Sequence, residues 1–274
     1  MGNRYSGISA GSSGSNLLLT GDFLIEVAKG QVQNHSLVFK YGRTPALDSA
    51  DAPADVWTYS DTAADYTYPT VAATNYISSS DNADTTEVTV EGLDADWKPQ
   101  SATVTLAGNT KTEIGTGLTW MRVFRAYNSG SSSIAGTVYV YEDDTTVVTP
   151  GVPDTPSKVK AQILAVDQQT YMALYTVPDG YTAYFLGGAV SLITGASASK
   201  SATVELMTTN GNGIFLSKEL IELVSNGSST FNQDLHALGP LAIPARTDIK
   251  ARIRTIGANG TGITVYYGIL LVQD

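Results

Sequence analysis

Glu87-Val88-Thr89-Val90-Glu91 and Ala102-Thr103-Val104-Thr105-Leu106 alternate polar and apolar residues almost one for one. A strand turns successive side chains to opposite faces, so Val88 and Val90 share one face, and Val104 and Leu106 share another, at the spacing of two that marks a half-buried strand. Between the runs, Gly92-Leu93-Asp94-Ala95-Asp96-Trp97 is rich in turn formers. The two runs are therefore expected to lie side by side in an antiparallel sheet.

Similar short β-prone runs stand on either side. Upstream are residues 17–19, 23–27 and 36–41; downstream are 120–127 and 136–142, divided by a polar loop at 128–133. Past Pro156 follow 159–166, 171–176, 182–187, 202–207, 213–216, 241–243, 249–255 and 261–272. Closely spaced short strands with turn residues between them predict an all-β chain, an antiparallel β-sandwich or jelly roll. Helical rhythm is confined to 216–224, where Leu216, Leu220, Leu223 and Val224 share one helix face ahead of Asn226-Gly227. That run is short enough for helical turns and a strand to fit it equally.

Composition sets the expected boundaries. Residues 1–16 are rich in Gly, Ser and Asn with little to bury, an arm that is flexible alone or ordered by a partner. Pro150, Pro153 and Pro156 stiffen residues 149–157 and disfavour a central strand there, which predicts a linker between an N-terminal β domain (17–148) and a C-terminal β-sandwich (158–274). Residues 44–65, rich in Ala, Asp and Pro with Val56-Trp57 as the apolar anchor, read as an extended surface loop. Ser101-Ala102-Thr103-Val104 recurs as Ser201-Ala202-Thr203-Val204, and Gly136-Thr137-Val138-Tyr139 has a counterpart in Gly262-Ile263-Thr264-Val265-Tyr266. The offsets differ, so this is shared β composition and not a duplication.

The bulk chemistry excludes several function classes. Of the 274 residues, 42% are hydrophobic and 15% charged, polarity coming instead from Ser, Thr, Asn and Gly. Such a surface suits strands, turns and contacts with neighbouring subunits. With 26 acidic against 16 basic residues, the formal charge of −10 repels phosphate backbones, and no basic stripe offsets it, so no nucleic-acid partner is expected. The absence of cysteine removes disulfides, thiolate metal sites and thiol nucleophiles together. No apolar run reaches the roughly 18 residues of a membrane span, and the first 16 residues lack the apolar core of a signal peptide, so no membrane association is expected. Met1-Gly2-Asn3-Arg4-Tyr5-Ser6 fits the short myristoylation pattern, which has meaning only where a eukaryotic transferase meets the chain.

Catalytic groups are sparse. His35 and His236 are the only imidazoles, and neither sits in metal-ligand or triad spacing; His35, beside a strand, is placed to bond a turn carbonyl. Gly195-Ala196-Ser197-Ala198-Ser199-Lys200-Ser201 has Lys200 where a phosphate loop requires its second glycine. Asp48, Asp51 and Asp55, and again Asp81, Asp84 and Glu87, offer oxygen ligands for Ca²⁺ or a carboxylate pair for sugar cleavage, although solvated loop charge explains both sets. Tyr59, Tyr66, Tyr68 and Tyr76 crowd one loop-rich region, as core packing or as a contact surface. No enzyme, cofactor or metal is expected.

A resemblance is carried by Phe23-Leu24-Ile25-Glu26-Val27-Ala28-Lys29-Gly30 with His35-Ser36-Leu37-Val38-Phe39-Lys40-Tyr41-Gly42-Arg43, and continues through Val56-Trp57, Gly92-Leu93-Asp94-Ala95-Asp96-Trp97, Arg122-Val123-Phe124-Arg125 and the run from Tyr171 to Tyr184. Over most of residues 20–272 the chain resembles virion structural proteins of marine and freshwater tailed phages. That resemblance implies a capsid decoration or cement protein on the virion surface, and low charge, many strands and a polar arm fit a subunit made in the bacterial cytoplasm, bound to the major capsid protein and assembled as a homo-oligomer, a trimer foremost. It carries over no catalytic residue. The residues expected to touch the shell or a neighbouring subunit are Phe23, Val27, His35, Lys40, Arg43, Trp57, Tyr59, Tyr66 and Tyr68. A receptor-binding or fibre-head protein that meets a host glycan with exposed aromatics is the alternative.

Overall fold

Leu47, Ala54 and Val56 pack in one hydrophobic core, and Trp57 begins another. The structure, a computed structural model, describes residues 22–44, 47–59, 65–144, 149–165, 167–194, 199–210, 212–225, 231–235 and 241–274, with the side chains of 193–194 and 231–235 left aside. The expected arm at 1–16, the run at 17–19, most of the phosphate-loop look-alike and His236 lie outside these residues.

In chain order the elements are helix α1 (Phe23–Ala28) and strands β1 (His35–Arg43), β2 (Ala54–Asp55), β3 (Thr74–Ser79), β4 (Glu87–Leu93), β5 (Pro99–Thr105), β6 (Thr112–Glu113), β7 (Arg122–Asn128) and β8 (Val138–Glu142). There follow β9 (Val159–Ile163), β10 (Leu174–Thr176), β11 (Tyr181–Thr194), β12 (Lys200–Thr209), β13 (Phe215–Ser225), β14 (Phe231–Leu235), β15 (Ala242–Ile243), β16 (Asp248–Ile256) and β17 (Thr261–Gln273). Every named strand pairing is antiparallel. The chain is all-β, as the alternation predicts.

One sandwich packs the sheet β1-β17-β11-β14, with β15 against β11, on the sheet β10-β16-β12-β13, with β2 against β16. Its core follows from period two. Ile263, Val265, Tyr267, Ile269 and Leu271 descend one face of β17, and Val204 and Leu206 of β12 with Ile249, Ala251 and Ile253 of β16 meet them from the facing sheet. The second sandwich packs β6-β3-β8-β9 on β5-β4-β7. Here Val88 pairs with Val104 and Val90 with Ala102, the neighbours read from the sequence, and Val88, Val90, Val104 and Leu106 are all buried. Gly92 is where β7 comes closest, since a Cβ there would stand 2.0 Å from the carbonyl oxygen of Arg122.

The boundary differs from the expected one. Residues 149–157 do not divide the halves: they join β8 to β9, which pair with each other, and Gly151 accepts the Ser78 hydroxyl at 2.9 Å. In turn β1, expected with the first half, pairs along its length with β17. The second sandwich is thus built from the described residues between 57 and 172 and set into the first. Its two connections run side by side, with Ala173 N–H on the Val56 carbonyl and Thr58 N–H on the Tyr171 carbonyl, both at 2.9 Å. Proline there shapes a hairpin connection and not a domain linker.

Two further expectations change, and one left open between helix and strand is decided. Residues 23–27 form a helix because the Asp22 side chain caps it, accepting Leu24 N–H at 2.9 Å. The described residues of 44–65 are not all surface loop, as Leu47, Ala54, Val56 and Trp57 are buried and β2 adds to a sheet. Residues 216–224 belong to strand β13, their Ile221 and Leu223 facing the core at a spacing of two.

The sandwiches are clamped by a buried ion pair. Arg122, on β7, donates Nε to Asp248 Oδ1 at 2.8 Å and Nη2 to Oδ2 at 2.9 Å, while Nη1 reaches the carbonyls of Pro69 at 2.7 Å and Met121 at 2.9 Å. Asp248, on β16, also accepts the Thr176 hydroxyl. Beside it Lys250 meets Asp55 at 2.7 Å, with both side chains buried. Removing one partner strands a buried charge, so Arg122→Met is expected to cost about 3–5 kcal/mol in urea unfolding, and Arg122→Met with Asp248→Leu to regain a large part of it. Equal losses in the single and double variants would contradict this account.

Candidate functional site

Where the sandwiches meet, β1 forms one wall of an open cavity of about 520 Å³. Ser36 to Lys40 line it on one side, Glu91 to Leu93 and Pro99 to Ser101 on the other, with Phe124, Arg125, Tyr175, Pro178 and Tyr181 between. β1 is an edge strand, bonded to β17 on one side only. The register pairs Arg43 with Thr264, and Thr44 N–H bonds the Ile263 carbonyl at 2.9 Å. In an antiparallel ladder the bonding residues alternate, so the even-numbered residues of β1 bond β17 and the odd-numbered ones face away from it. Arg43 spends its outward carbonyl on the Thr58 hydroxyl, and His35 N–H turns to Val32. The peptide groups of Leu37, Phe39 and Tyr41 have no hydrogen-bond partner among the described residues.

Lys40 lies along the floor of this cleft. It is buried, and its Nζ donates to the Phe124 carbonyl at 2.6 Å. Burial pulls its amine down to about 7, with the nearby Arg125 pulling the same way and Glu91 opposing. Among the described residues Glu91 is the single carboxylate lining the cavity, so they do not assemble the two acids of a glycosidase there.

The other notable surface is the solvent face of β1-β17-β11. Tyr41 pairs with Tyr266, and Phe39 pairs with Gly268, across which Leu186 lies on the far side. The Phe39 ring leans over Gly268, 3.2 Å from where a Cβ would stand. Phe39 is 63% exposed, Tyr41 and Tyr266 46% each, and Leu186 41%. Leu37, Leu270 and Tyr184, half-buried, continue the same row. The outer face of a two-layer sheet ordinarily carries polar residues; here it carries rings and leucines. Nearby, α1 exposes Phe23, Leu24 and Ile25.

The nine contact residues expected from sequence separate into two sets. Phe23 is exposed, its ring edge-on to His35 at 5.7 Å, and Arg43 is exposed at the end of β1. His35 bonds the Gln33 carbonyl at 2.8 Å, as its turn position foretold. Val27, Lys40, Trp57 and Tyr66 are buried within the chain. The aromatic cluster is internal instead: Trp57 stacks on Tyr59 at 5.0 Å, Tyr66 meets Trp57 at 5.1 Å, and Tyr68 bridges from Tyr66 to Phe215 of the other sandwich at 4.8 and 5.3 Å. Burial raises the hydroxyl pKa of both Tyr66 and Tyr68. Loop residues carrying these rings fold inward because they seal the joint around Arg122, whose guanidinium lies 5.1 Å from the Tyr68 ring and 4.8 Å from Trp97.

The acidic clusters are structural. Asp51 Oδ2 accepts the Asp48 N–H at 2.7 Å, Asp55 pairs with Lys250, and Asp84 gathers the Ser79 hydroxyl at 2.6 Å with the amides of Ala135 and Gly136 at 2.8 and 2.9 Å. Among the described residues no three His, Asp or Glu side chains converge as a metal site. Sequence reading missed Phe39, Tyr41, Leu186 and Tyr266 as a surface. The available signal was the run Leu37-Val38-Phe39-Lys40-Tyr41, bulky at both parities, which a half-solvated strand is not.

No family model and no curated protein matches the chain. Among solved structures it is similar to the VP2 subviral particle protein of infectious bursal disease virus, at 12% identity and TM-score 0.23, covering 88% of this chain and 73% of that one. It is also similar to a protein of the empty top component of Cowpea mosaic virus, at 12% identity and TM-score 0.19, covering 74% and 83%. An isomalto-dextranase of Arthrobacter globiformis gives 10% identity and TM-score 0.25, covering 83% and 39%. Superpositions this loose, to capsid proteins and to an enzyme alike, assign no function.

Lys40 gives the site a pH signature. Its folded pKa lies below that of an unfolded lysine, near 10.4, so between about pH 7 and 10 the unfolded chain binds the extra proton and stability rises with pH. Relative to Lys40→Met, the wild-type unfolding free energy is expected to climb by up to about 1.4 kcal/mol per pH unit across that window. Parallel pH curves for the two proteins would refute the buried, depressed amine.

Proposed function

We propose that this chain is a non-enzymatic structural subunit of a tailed-phage particle, a head-decoration or cement protein that joins the shell as a homo-oligomer, a trimer foremost, through the major capsid protein. The observation that carries the reading is the solvent face of the β1-β17-β11 sheet, where Phe39, Tyr41, Leu186 and Tyr266 lie together in water. Aromatic rings with polar tips, flanked by few charges, are what the centre of a protein interface is made of. The sparse charge of the chain and its resemblance to virion proteins support the same reading.

Host-glycan recognition is the second reading, and the cleft favours it. Phe124 and Tyr181 stand in its wall with Gln100, Arg125 and Glu91, the pairing of rings and hydrogen-bonding groups that sugars require.

Copy number per purified virion separates the two. Hundreds of copies are expected for decoration, against a few dozen or fewer for a tail or fibre protein. Phe39→Glu with Tyr266→Glu, both on the solvent face, is expected to keep the wild-type circular dichroism and to weaken assembly by at least about thirtyfold, roughly 2 kcal/mol. Light scattering after size exclusion reads this directly; a wild-type chain that stays monomeric at high concentration overturns the assembly reading.

A further inference from the structure

We infer that the free edge of β1 is a docking site for the segment Asn16-Leu17-Leu18-Leu19-Thr20 of a second copy of this chain, which adds as a strand between β1 and the far wall of the cleft. The inference rests on the homo-oligomer part of the proposed function and names the contact that would build it.

The edge supplies the backbone. Leu37, Phe39 and Tyr41 turn their peptide groups away from β17 without a partner among the described residues, and the ladder Arg43 closes with Thr58 ends where that free stretch begins. Water bonds such exposed edge groups in the free chain, and an extended segment that adds to the sheet edge offers a partner to each of them at once. The cavity beside the edge, about 520 Å³ and open to solvent, leaves room for a short strand.

The occupant is chosen by its side chains. Three successive leucines do not alternate, so in a strand they place apolar groups on both faces. Few positions on a protein surface accept that. A strand beside β1 does, because the outer face there holds Leu37 and Phe39, and the inner face holds Phe124 and Tyr175. Residues 1–15 carry Met1, Tyr5, Ile8 and Ala10 only singly among Gly, Ser and other polar residues, with no comparable apolar run.

That the donor is a neighbour follows from α1. This helix comes directly after the leucines and leaves Phe23, Leu24 and Ile25 exposed, 39%, 37% and 53%. Folding back onto its own β1 would satisfy the leucines and leave these three in water. Crossing to a second copy lets the leucines and the helix cover apolar surface together. Closed exchange of such segments is also how symmetric assemblies dispose of sheet edges.

The chain contains no cysteine, which makes the test clean. Isotope-heavy chains carrying Leu18→Cys are mixed with light chains carrying Ser101→Cys, an exposed residue on the far wall, and treated with a short bismaleimide. A heavy–light cross-linked peptide pair joining positions 18 and 101 is expected. In a separate preparation of chains that carry both substitutions, bridging found only within single chains overturns the exchange, and no bridging in either arrangement overturns the docking. As a second readout, the Phe39 amide is expected to exchange at least a hundredfold more slowly in the full chain than in the variant Leu17→Asp with Leu19→Asp; equal rates overturn the proposal. An assembled particle without the 18–101 pair refutes the docking and leaves assembly standing, whereas a persistent monomer refutes both.

Discussion

The two-sandwich arrangement depends on Arg122 reaching Asp248. Each charge is removed from water, at a cost that only dense hydrogen bonding offsets. The guanidinium meets that condition: two parallel bonds go to the carboxylate, two more to backbone carbonyls, and its flat faces lie against Tyr68 and Trp97. A lysine at this position would give one point charge and no fork. Because the bidentate geometry fixes direction as well as distance, it sets how β7 of the inserted sandwich lies against β16 of the outer one. The cleft inherits its shape from that angle, since β1 belongs to one sandwich and the opposing residues 91–93 and 99–101 to the other.

Local alternation made the strands legible, and it made little else legible. Val88, Val90, Val104 and Leu106 stood two apart and were found facing one core. What the alternation cannot encode is which strand a run will pair with. β1 lies more than 200 residues from β17, and its partnership depends on complementary faces brought together in three dimensions. The prolines at 150, 153 and 156 misled for a related reason: proline reports that a segment is stiff and not helical, and both a linker and a hairpin connection satisfy that. The helix at Phe23 was hidden because six residues give barely more than one period, so its cap on Asp22 carried more information than its pattern.

The candidate site was half legible for a different physical reason. Tyrosine and tryptophan in loops serve equally as surface and as seal, and sequence does not tell which. Trp57, Tyr59, Tyr66 and Tyr68 became a seal because the joint around Arg122 needs large groups to exclude water from the ion pairs, and these residues sit on the chain leading into the inserted sandwich. With those rings turned inward, the exposed rings among the described residues lie on α1, β1 and β17.

An exposed strand edge lined with apolar residues invites indiscriminate pairing, and folded proteins commonly blunt such edges with a charge pointing inward. Lys40 stands in that position on β1, between Phe39 and Tyr41. Its amine is already engaged by the Phe124 carbonyl, so it holds the floor of the cleft without offering a partner to an incoming strand. A strand that enters must therefore be short and must bring apolar groups to both faces while leaving the amine undisturbed. The wall at residues 99–101 bounds the space from the opposite side, so that a second whole sheet cannot approach edge to edge. The same clamp that orients the two sandwiches thus turns an aggregation hazard into a slot that selects for one kind of segment.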